Sequence, residues 1–464
     1  MKTAQSSFSN VGLQTAVASK NIANASNTAY ARRAAVLVTA GSGATVVETQ
    51  RAQNEALLKQ NLLSISKSVA QETLLGGLTR VKMMLGGEDY ELSPATYLAK
   101  LRDNLQTFAD KPNEVSLAET VVADAVDVAN SLNATSLAVQ KLRAEADADI
   151  ATSVNELNRL LKEFQTYNDQ VKVGTAAGTD VNDALDQRDK LLTQISEIVG
   201  VSALKRTNND LALYTSDGTV LFETVPRTVT FAPTMTYTAA VTGNQVYIDG
   251  VAVQAGTGGN TSAQGSIAAL LQVRDNIAPT FQKQLDEIAR SLIDMFEDGG
   301  DEGLFIRNGI ATVNDPGLAA VIAVNPDVIT AKGGDPMLLR DGINDDLNPA
   351  DEASFSVLLN KYASAFEASR TFDVGAGIDT NTSILAFSTG SIGWVEQLRS
   401  AATTASDDKS ALLGRTQEAL LNVTAVSLDE ELALLLDLEQ SYKASAKLVA
   451  AVDEMIAALL AAAG

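Results

Sequence analysis

The chain contains no cysteine and no histidine. The first absence excludes disulfides, thiolate metal sites and cysteine nucleophiles. The second removes the usual general base near neutral pH and the commonest transition-metal ligand, and it rules out serine–histidine–aspartate chemistry. Aromatic residues are scarce, at 5% with a single tryptophan, so alanine-rich helices are expected rather than a bulky aromatic core. No uninterrupted apolar run approaches ~20 residues, so no membrane span and no membrane partner are expected. The opening MKTAQSSFSN lacks the apolar core of a secretory signal, so an exported chain of this kind needs a route that leaves the N-terminus uncleaved. Positive charge is also short: 35 basic residues face 57 acidic ones, a formal net charge of −22. Nucleic acid, which requires a basic face, is not an expected partner.

What is present points to a folded, mainly helical protein. Its 464 residues allow two to four domains, and 45% hydrophobic with 20% charged residues is a folding composition. Met1, Ala4, Phe8, Val11, Thr15, Ala18, Ile22 and Ala25 recur at spacings of three and four. Leu435, Leu438, Tyr442, Ser445, Val449, Val452, Ile456 and Leu459 repeat that pattern at the other end. Ser427 with Glu430 forms a capping box before the second stripe. The first 50 residues are basic and the last 40 acidic. Matched heptads of opposite charge are read as pairing with each other or with neighbouring copies; two separate surface helices fit the pattern as well. The first stripe is rich in alanine and threonine, so an isolated pair should be marginal before assembly.

Between the ends, Arg51–Leu85 carries a helical face through Leu58, Leu62, Ile65, Val69 and Leu78. Ser93-Pro94 starts a further helix that ends before Lys111-Pro112. Glu114 to Val173 has neither glycine nor proline and reads as one long helix, with AEADAD the place for a break. It implies a rod-like molecule. VGTAAGTD is a loop, and Val181 to Val199 is a helix closed by Gly200. The period then changes: VSALKRT, LALYT, TVLFE, RTVTFA and NQVYID read as short strands. Helix returns at Ser266–Glu297, with Pro279 as a kink, and resumes from Asp351 after an irregular stretch.

No constellation carries catalysis, and no cofactor or metal site is expected. DGGDEG (298–303) and GINDD (342–346) lack the ligand spacing of a calcium loop and read as solvated acidic turns. Asp186 and Asp189 flank Arg188 in DQRDK, which reads as a surface ion-pair cluster. The glycines of AGSGAT and AGTGGN lack phosphate-loop spacing, and Trp394 alone makes no binding platform.

Two motifs carry a family resemblance. NIANASNTAYAR resembles the N-I-A-N-A-N-T-P-G-Y-S-R motif of the bacterial flagellar axial proteins, the rod, hook and hook-associated family. Asn21, Ile22, Ala23, Asn24, Ala25, Tyr30 and Arg32 match, and Thr28-Ala29 replaces the proline–glycine pair. Near the other end, LDEE, QSYKASAK and VDEM, from Leu428 to Met455, resemble the closing helix of the same family. The segments DALDQRDKLLTQISEIVGV, LALYTSDGTVLFE and GSIAALLQVRDNIAPTFQKQLDEIA resemble its hook-associated members.

The resemblance implies a mainly α, elongated multi-domain protein with coiled-coil termini, a helical-bundle body and an inserted small β domain. The expected division is 1–30 with 426–464 as a terminal coiled-coil core. Residues 31–200, 265–297 and 351–425 form the helical body, 201–264 the β insertion, and 298–350 an irregular segment. It further implies an extracellular structural subunit at the hook–filament junction that polymerises as a ring or tube through its terminal helices. Implied partners are other copies of itself, the hook protein, the second junction protein and a cytoplasmic export chaperone. The expected assembly interface comprises Phe8, Val11, Asn21, Ile22, Asn24, Tyr30, Arg32, Arg33, Leu435, Leu438, Tyr442, Val449, Val452, Ile456 and Leu459. Arg32 and Arg33 are expected to meet acidic groups of an adjacent copy. The alternatives are another axial protein, an adhesin on the β insertion, and an enzyme using Asp298 and Asp301.

Overall fold

The structure, a computed structural model, describes residues 2–40, 43–309 and 312–463. Met1 and part of AGSGAT lie outside the described residues. The chain runs α1 (Lys2–Ala23), β1 (Arg33–Ala40), β2 (Gly43–Arg51), α2 (Glu55–Met84), α3 (Pro94–Asp110), α4 (Val115–Ala177) and α5 (Asn182–Ile198). Short strands follow: β3 (Val201–Lys205), β4 (Leu211–Thr215), β5 (Val220–Phe222), β6 (Val229–Thr230), β7 (Tyr247–Ile248) and β8 (Val251–Ala252). Then come α6 (Ser266–Gln272), a π-helical turn at Val273–Ile277, α7 (Ala278–Met295), β9 (Phe305–Arg307), β10 (Ile322–Val324) and α8 (Leu338–Asp341). The chain closes with α9 (Val357–Ala365), β11 (Arg370–Thr371), β12 (Asn381–Thr382), α10 (Ile384–Thr424) and α11 (Leu428–Ala463). The fold is mainly α with small inserted sheets, as the sequence predicts.

Local chemistry places these boundaries. Ser93 Oγ accepts the Thr96 amide at 3.4 Å with Pro94 in the first turn of α3, and Ser427 Oγ accepts the Glu430 amide at 3.4 Å before α11. Helix α4 runs through AEADAD without a break; its 63 residues make about 95 Å. It also passes Val173, where a loop is predicted, and ends at Ala177. A Cβ on Gly174 would lie 2.3 Å from Val181, so glycine here lets the returning chain close against the helix. The kink expected at Pro279 is the π turn just before it, the usual way a helix absorbs an interrupted hydrogen-bond ladder.

One compact unit comprises Met1–Ser68, Glu156–Val229 and Lys409–Gly464. Its β3–β4–β5 meander is antiparallel, with Val201 opposite Thr215 and Leu213 opposite Phe222. Phe222 packs edge-on against Phe164 of α4, 5.1 Å between centroids. The β1–β2 hairpin is an addition to the sequence reading, which gives no strand before residue 201. Valine- and threonine-bearing runs on either side of Gly41-Ser42-Gly43 carried that signal.

The other unit comprises Val69–Asn155 and Thr230–Asp408. Its core joins Leu74, Leu78 and Val81 of α2 to Leu101, Leu105 and Phe108 of α3, Phe281 to Leu292 of α7, and Tyr362 and Phe366 near α9. A Cβ on Gly77 would lie 2.6 Å from Val273, so α2 meets the π turn at backbone distance. Fully buried Arg274 of that turn reaches Asp147 of α4 at 2.6 Å and the Asn244 carbonyl at 2.7 Å. Asp147 also accepts the Tyr237 hydroxyl and the Thr234 amide, each at 2.7 Å.

The acidic turns are solvated only in part: Asp301, Asp345 and Asp346 are exposed. Asp298 is buried and accepts the amides of Ile343 at 2.6 Å and Asn344 at 3.0 Å, so DGGDEG and GINDD dock on each other. Tyr362 is fully buried, and its hydroxyl has no hydrogen-bond partner among the described residues. Tyr362→Phe is therefore expected to leave stability unchanged or raise it by about 1 kcal/mol, because an unmade buried hydrogen bond disappears. Denaturant unfolding followed at this unit checks it; a clear loss of stability would show that the hydroxyl has a partner.

Candidate assembly site

The two terminal stripes meet within one chain. Helices α1 and α11 pack along each other, with Phe8 edge-on to Tyr442 at 5.0 Å and Ser7 Oγ 2.8 Å from Ser445 Oγ. Val11, Ala18, Leu438 and Ser445 are buried, and Leu435, Val449 and Val452 are half-buried. Beyond that seam the apolar side chains of α11 point outward. Ile456 and Leu459 are exposed, as are Leu448, Met455 and Leu460 at 64–70%. The contact thus covers the stripe of α11 as far as Val452 and leaves its apolar residues uncovered toward the end of the helix.

The polar motif after α1 is spent inside the chain. Asn21 is fully buried: its Nδ2 donates to the Arg33 carbonyl at 2.8 Å, and its Oδ1 accepts the Tyr30 hydroxyl at 2.8 Å and the Arg33 amide at 3.0 Å. Ile22 and Asn24 are half-buried, and Asn24 Nδ2 caps the Lys20 carbonyl at 2.9 Å. The turn needs no proline–glycine pair. Asn27 Oδ1 accepts the Ala29 amide at 3.1 Å, and none of residues 21–33 has a positive φ, so Thr28-Ala29 fits.

The arginines find their acids in the same chain, where an adjacent copy was expected. Arg32 Nε donates to buried Glu431 at 2.7 Å, and its backbone amide donates to the Thr424 carbonyl at 2.7 Å. Buried Arg33 reaches Asp183 at 2.5 Å and Asp186 at 2.9 Å, with its guanidinium 4.7 Å from the Tyr30 ring centre. On the β1–β2 ladder Arg33 stands opposite Arg51, which bonds Asp186 at 2.6 Å and Asp189 at 2.7 Å.

DQRDK is therefore no surface cluster. Asp186 and Arg188 are buried, and Arg188 turns away from its neighbours to Asn168 at 3.1 Å and the Asn209 carbonyl at 2.5 Å. Burial pushes the Arg188 guanidinium down to about 10. Lys20, Arg51 and Asp183 belong to this ion-pair cluster with Asp186, and the sequence reading assigns none of the three to it. The signal was there only in part, as a carboxylate every third position in α5.

Burial raises the Tyr30 hydroxyl to about 12, and nearby acids add to it against Arg33. Burial opposes charge on Asp183, but the hydrogen bonds from Arg33 and Lys20 outweigh it and hold the carboxyl below its usual 3.8. The raised Tyr30 contributes stability that is complete below 10.0 and lost as pH rises through about 12. The depressed Asp183 contributes stability present above 3.8 and lost as pH falls through its lower folded value. The motif should hold unchanged between those two ordinary values. Tyrosinate absorbance of the chain minus that of Tyr30→Phe should place one titration near 12; a titration near 10.0 would overturn the assignment.

Comparisons with known proteins bear on both regions. The family model described as the flagellar hook-associated protein FlgK helical domain matches residues 78–311, just over half of the chain. That of the flagellar basal body rod FlgEFG protein C-terminal region matches 417–462, most of α11. The chain is 25% identical to flagellar hook-associated protein 1 of Bacillus subtilis over 98% of its own length and 96% of that protein. It is 23% identical to flagellar hook-associated protein 1 of Salmonella typhimurium over 60% of its length, spanning about half (52%) of that relative. A solved flagellar hook junction protein FlgK from Burkholderia pseudomallei aligns over 54% of the chain and 47% of that structure, at 20% identity and TM-score 0.43.

Proposed function

Since the chain belongs to the FlgK family of flagellar hook-associated proteins, we propose that it is a structural subunit of the hook–filament junction that polymerises through its terminal helices. The observation carrying this reading is the α1–α11 pair with the apolar stripe of α11 left uncovered beyond Val452. A helix that pairs along part of its stripe and exposes leucines on the rest is suited to meet further copies, and weak contacts repeated around a ring sum to a stable one.

In this reading residues 1–30 and 426–464 form the core of the tube. The helical segments 31–200, 265–297 and 351–425, with 298–350, form its wall, and residues 201–264 project outward. Tyr442, Ile456 and Leu459 of the expected interface face neighbouring copies. Asn21, Tyr30, Arg32 and Arg33 act indirectly, by fixing the base of the pair. The subunit sits outside the cell, between the hook protein and the second junction protein, and a cytoplasmic export chaperone covers α11 before export. Among the described residues no helix is long and apolar enough to cross a membrane. A strain lacking the chain should keep its hook, lose its filament and release flagellin into the medium. Filaments of normal length on that strain would overturn the proposal.

A further inference from the structure

We propose that α5 is an intrachain receptor for the N-terminal segment, and that its Asp183–Asp186–Asp189 face holds the end of α1, the following turn and the base of the hairpin as one unit. The proposal concerns the free chain and stands whatever the chain assembles with.

The hairpin base cannot hold itself. Arg33 and Arg51 are directly opposed on the β1–β2 ladder, and like charges in that position push strands apart. A lone two-stranded ribbon is marginal even without that repulsion. What reverses the sign is α5: Asp186 sits between the arginines and bonds both, while Asp183 takes Arg33 and Lys20, and Asp189 takes Arg51. The three carboxylates meet three cations, and buried Asp186 pairs with buried Arg33, whose Nε alone finds no partner among the described residues. Two backbone contacts complete the seat. Asn182 Nδ2 donates to the Thr49 carbonyl at 2.8 Å, and the Ala31 amide donates to Asp186 Oδ1 at 3.3 Å.

Burial changes at the same place. In α1 before residue 21, only Val11 and Ala18 are buried among the described side chains, whereas Asn21, Tyr30, Ala31 and Arg33 are all buried at the seat. The N-terminal segment therefore has a firm base and a loosely held tip, with the step near residue 20. Losing the acidic face should release the base as a block and leave α4 beneath it intact.

Hydrogen exchange on the full chain tests this. Asp186→Asn should speed exchange of the protected amides in 21–38 and 48–51 by about tenfold to hundredfold together, while amides of α4 from 157 to 171 keep their rates. Arg33→Met should speed the same set, and the double variant should add little to the larger single effect. Asp183→Asn, which changes a largely exposed carboxylate and does not threaten folding, should release the same amides to a smaller extent. Faster exchange confined to the immediate neighbours of a replaced side chain would overturn the proposal. So would additive single effects, a uniform rise that includes α4, or an unchanged base in Asp183→Asn.

Discussion

Replacing Arg274 with methionine is expected to destabilise its unit by about 3–5 kcal/mol, because the change leaves Asp147 charged and buried without its cation. Arg274 is fully enclosed, and a guanidinium there must be matched group by group. Burial opposes its charge, but Asp275 and Asp147 outweigh that and hold its pKa above the usual value. Beside it Arg143 stacks 4.6 Å from the Tyr237 ring centre and donates to the carbonyls of Thr238 at 3.1 Å and Val241 at 2.6 Å. Burial lowers the pKa of this second arginine. The segment from Phe231 to Asn244 has almost no regular backbone pairing of its own. It is tied down by Asp147, Arg143 and Arg274 instead. Even Gly243 belongs to the arrangement, since a Cβ there would lie 2.6 Å from the Arg274 guanidinium. Urea unfolding of the unit reads the stability change, and hydrogen exchange should show residues 231–244 losing protection first. Replacing both partners, Arg274→Met with Asp147→Leu, should recover part of the loss, because no orphan charge remains. Stability within about 0.5 kcal/mol of the parent in the single variant, as for an ordinary surface change, would show that the pair is not structural.

The largest functional effect is expected from Leu448→Glu, Leu459→Glu and Leu460→Glu combined. All three leucines are exposed in the free chain, so its stability should move by no more than about 0.5 kcal/mol per substitution. In an assembly that covers them, each leucine is worth about 1.5–3 kcal/mol of burial, and the loss recurs at every copy. Polymer yield should fall by about hundredfold or more while circular dichroism and unfolding of the monomer stay near those of the parent. Normal polymer from the triple variant would remove α11 from the interface and return attention to the β strands between 201 and 252.

Much of the frame was legible because helices announce themselves locally. The spacing of Leu435, Leu438, Tyr442 and Ser445 and the capping box at Ser427 identify α11 without reference to anything distant. The glycine-free run after Glu114 likewise gives α4. What escaped depends on partners far away in sequence. A carboxylate every third residue with an arginine between reads the same on a surface or under a hairpin, and only the fold brings Arg33 to Asp186. Asp298 is buried because backbone amides 45 and 46 residues later come to meet it. Asn21 and Tyr30 were visible as unusual residues, but polarity alone does not say whether hydrogen bonds run outward to a neighbour or back into the chain.

The hydrogen bonds that join Asn21 with Tyr30 and Arg33 close a loop of fixed size. Its side chains can drift, as Thr28-Ala29 shows, provided that Asn27 keeps the turn. Its length cannot. One inserted residue between Ile22 and Ala29 would leave β1 and β2 in register with each other, since their own turn sets it, but would break the spacing at which Asn21 meets Tyr30 and Arg33. The stretch is in effect a ruler: tolerant of spelling, intolerant of counting.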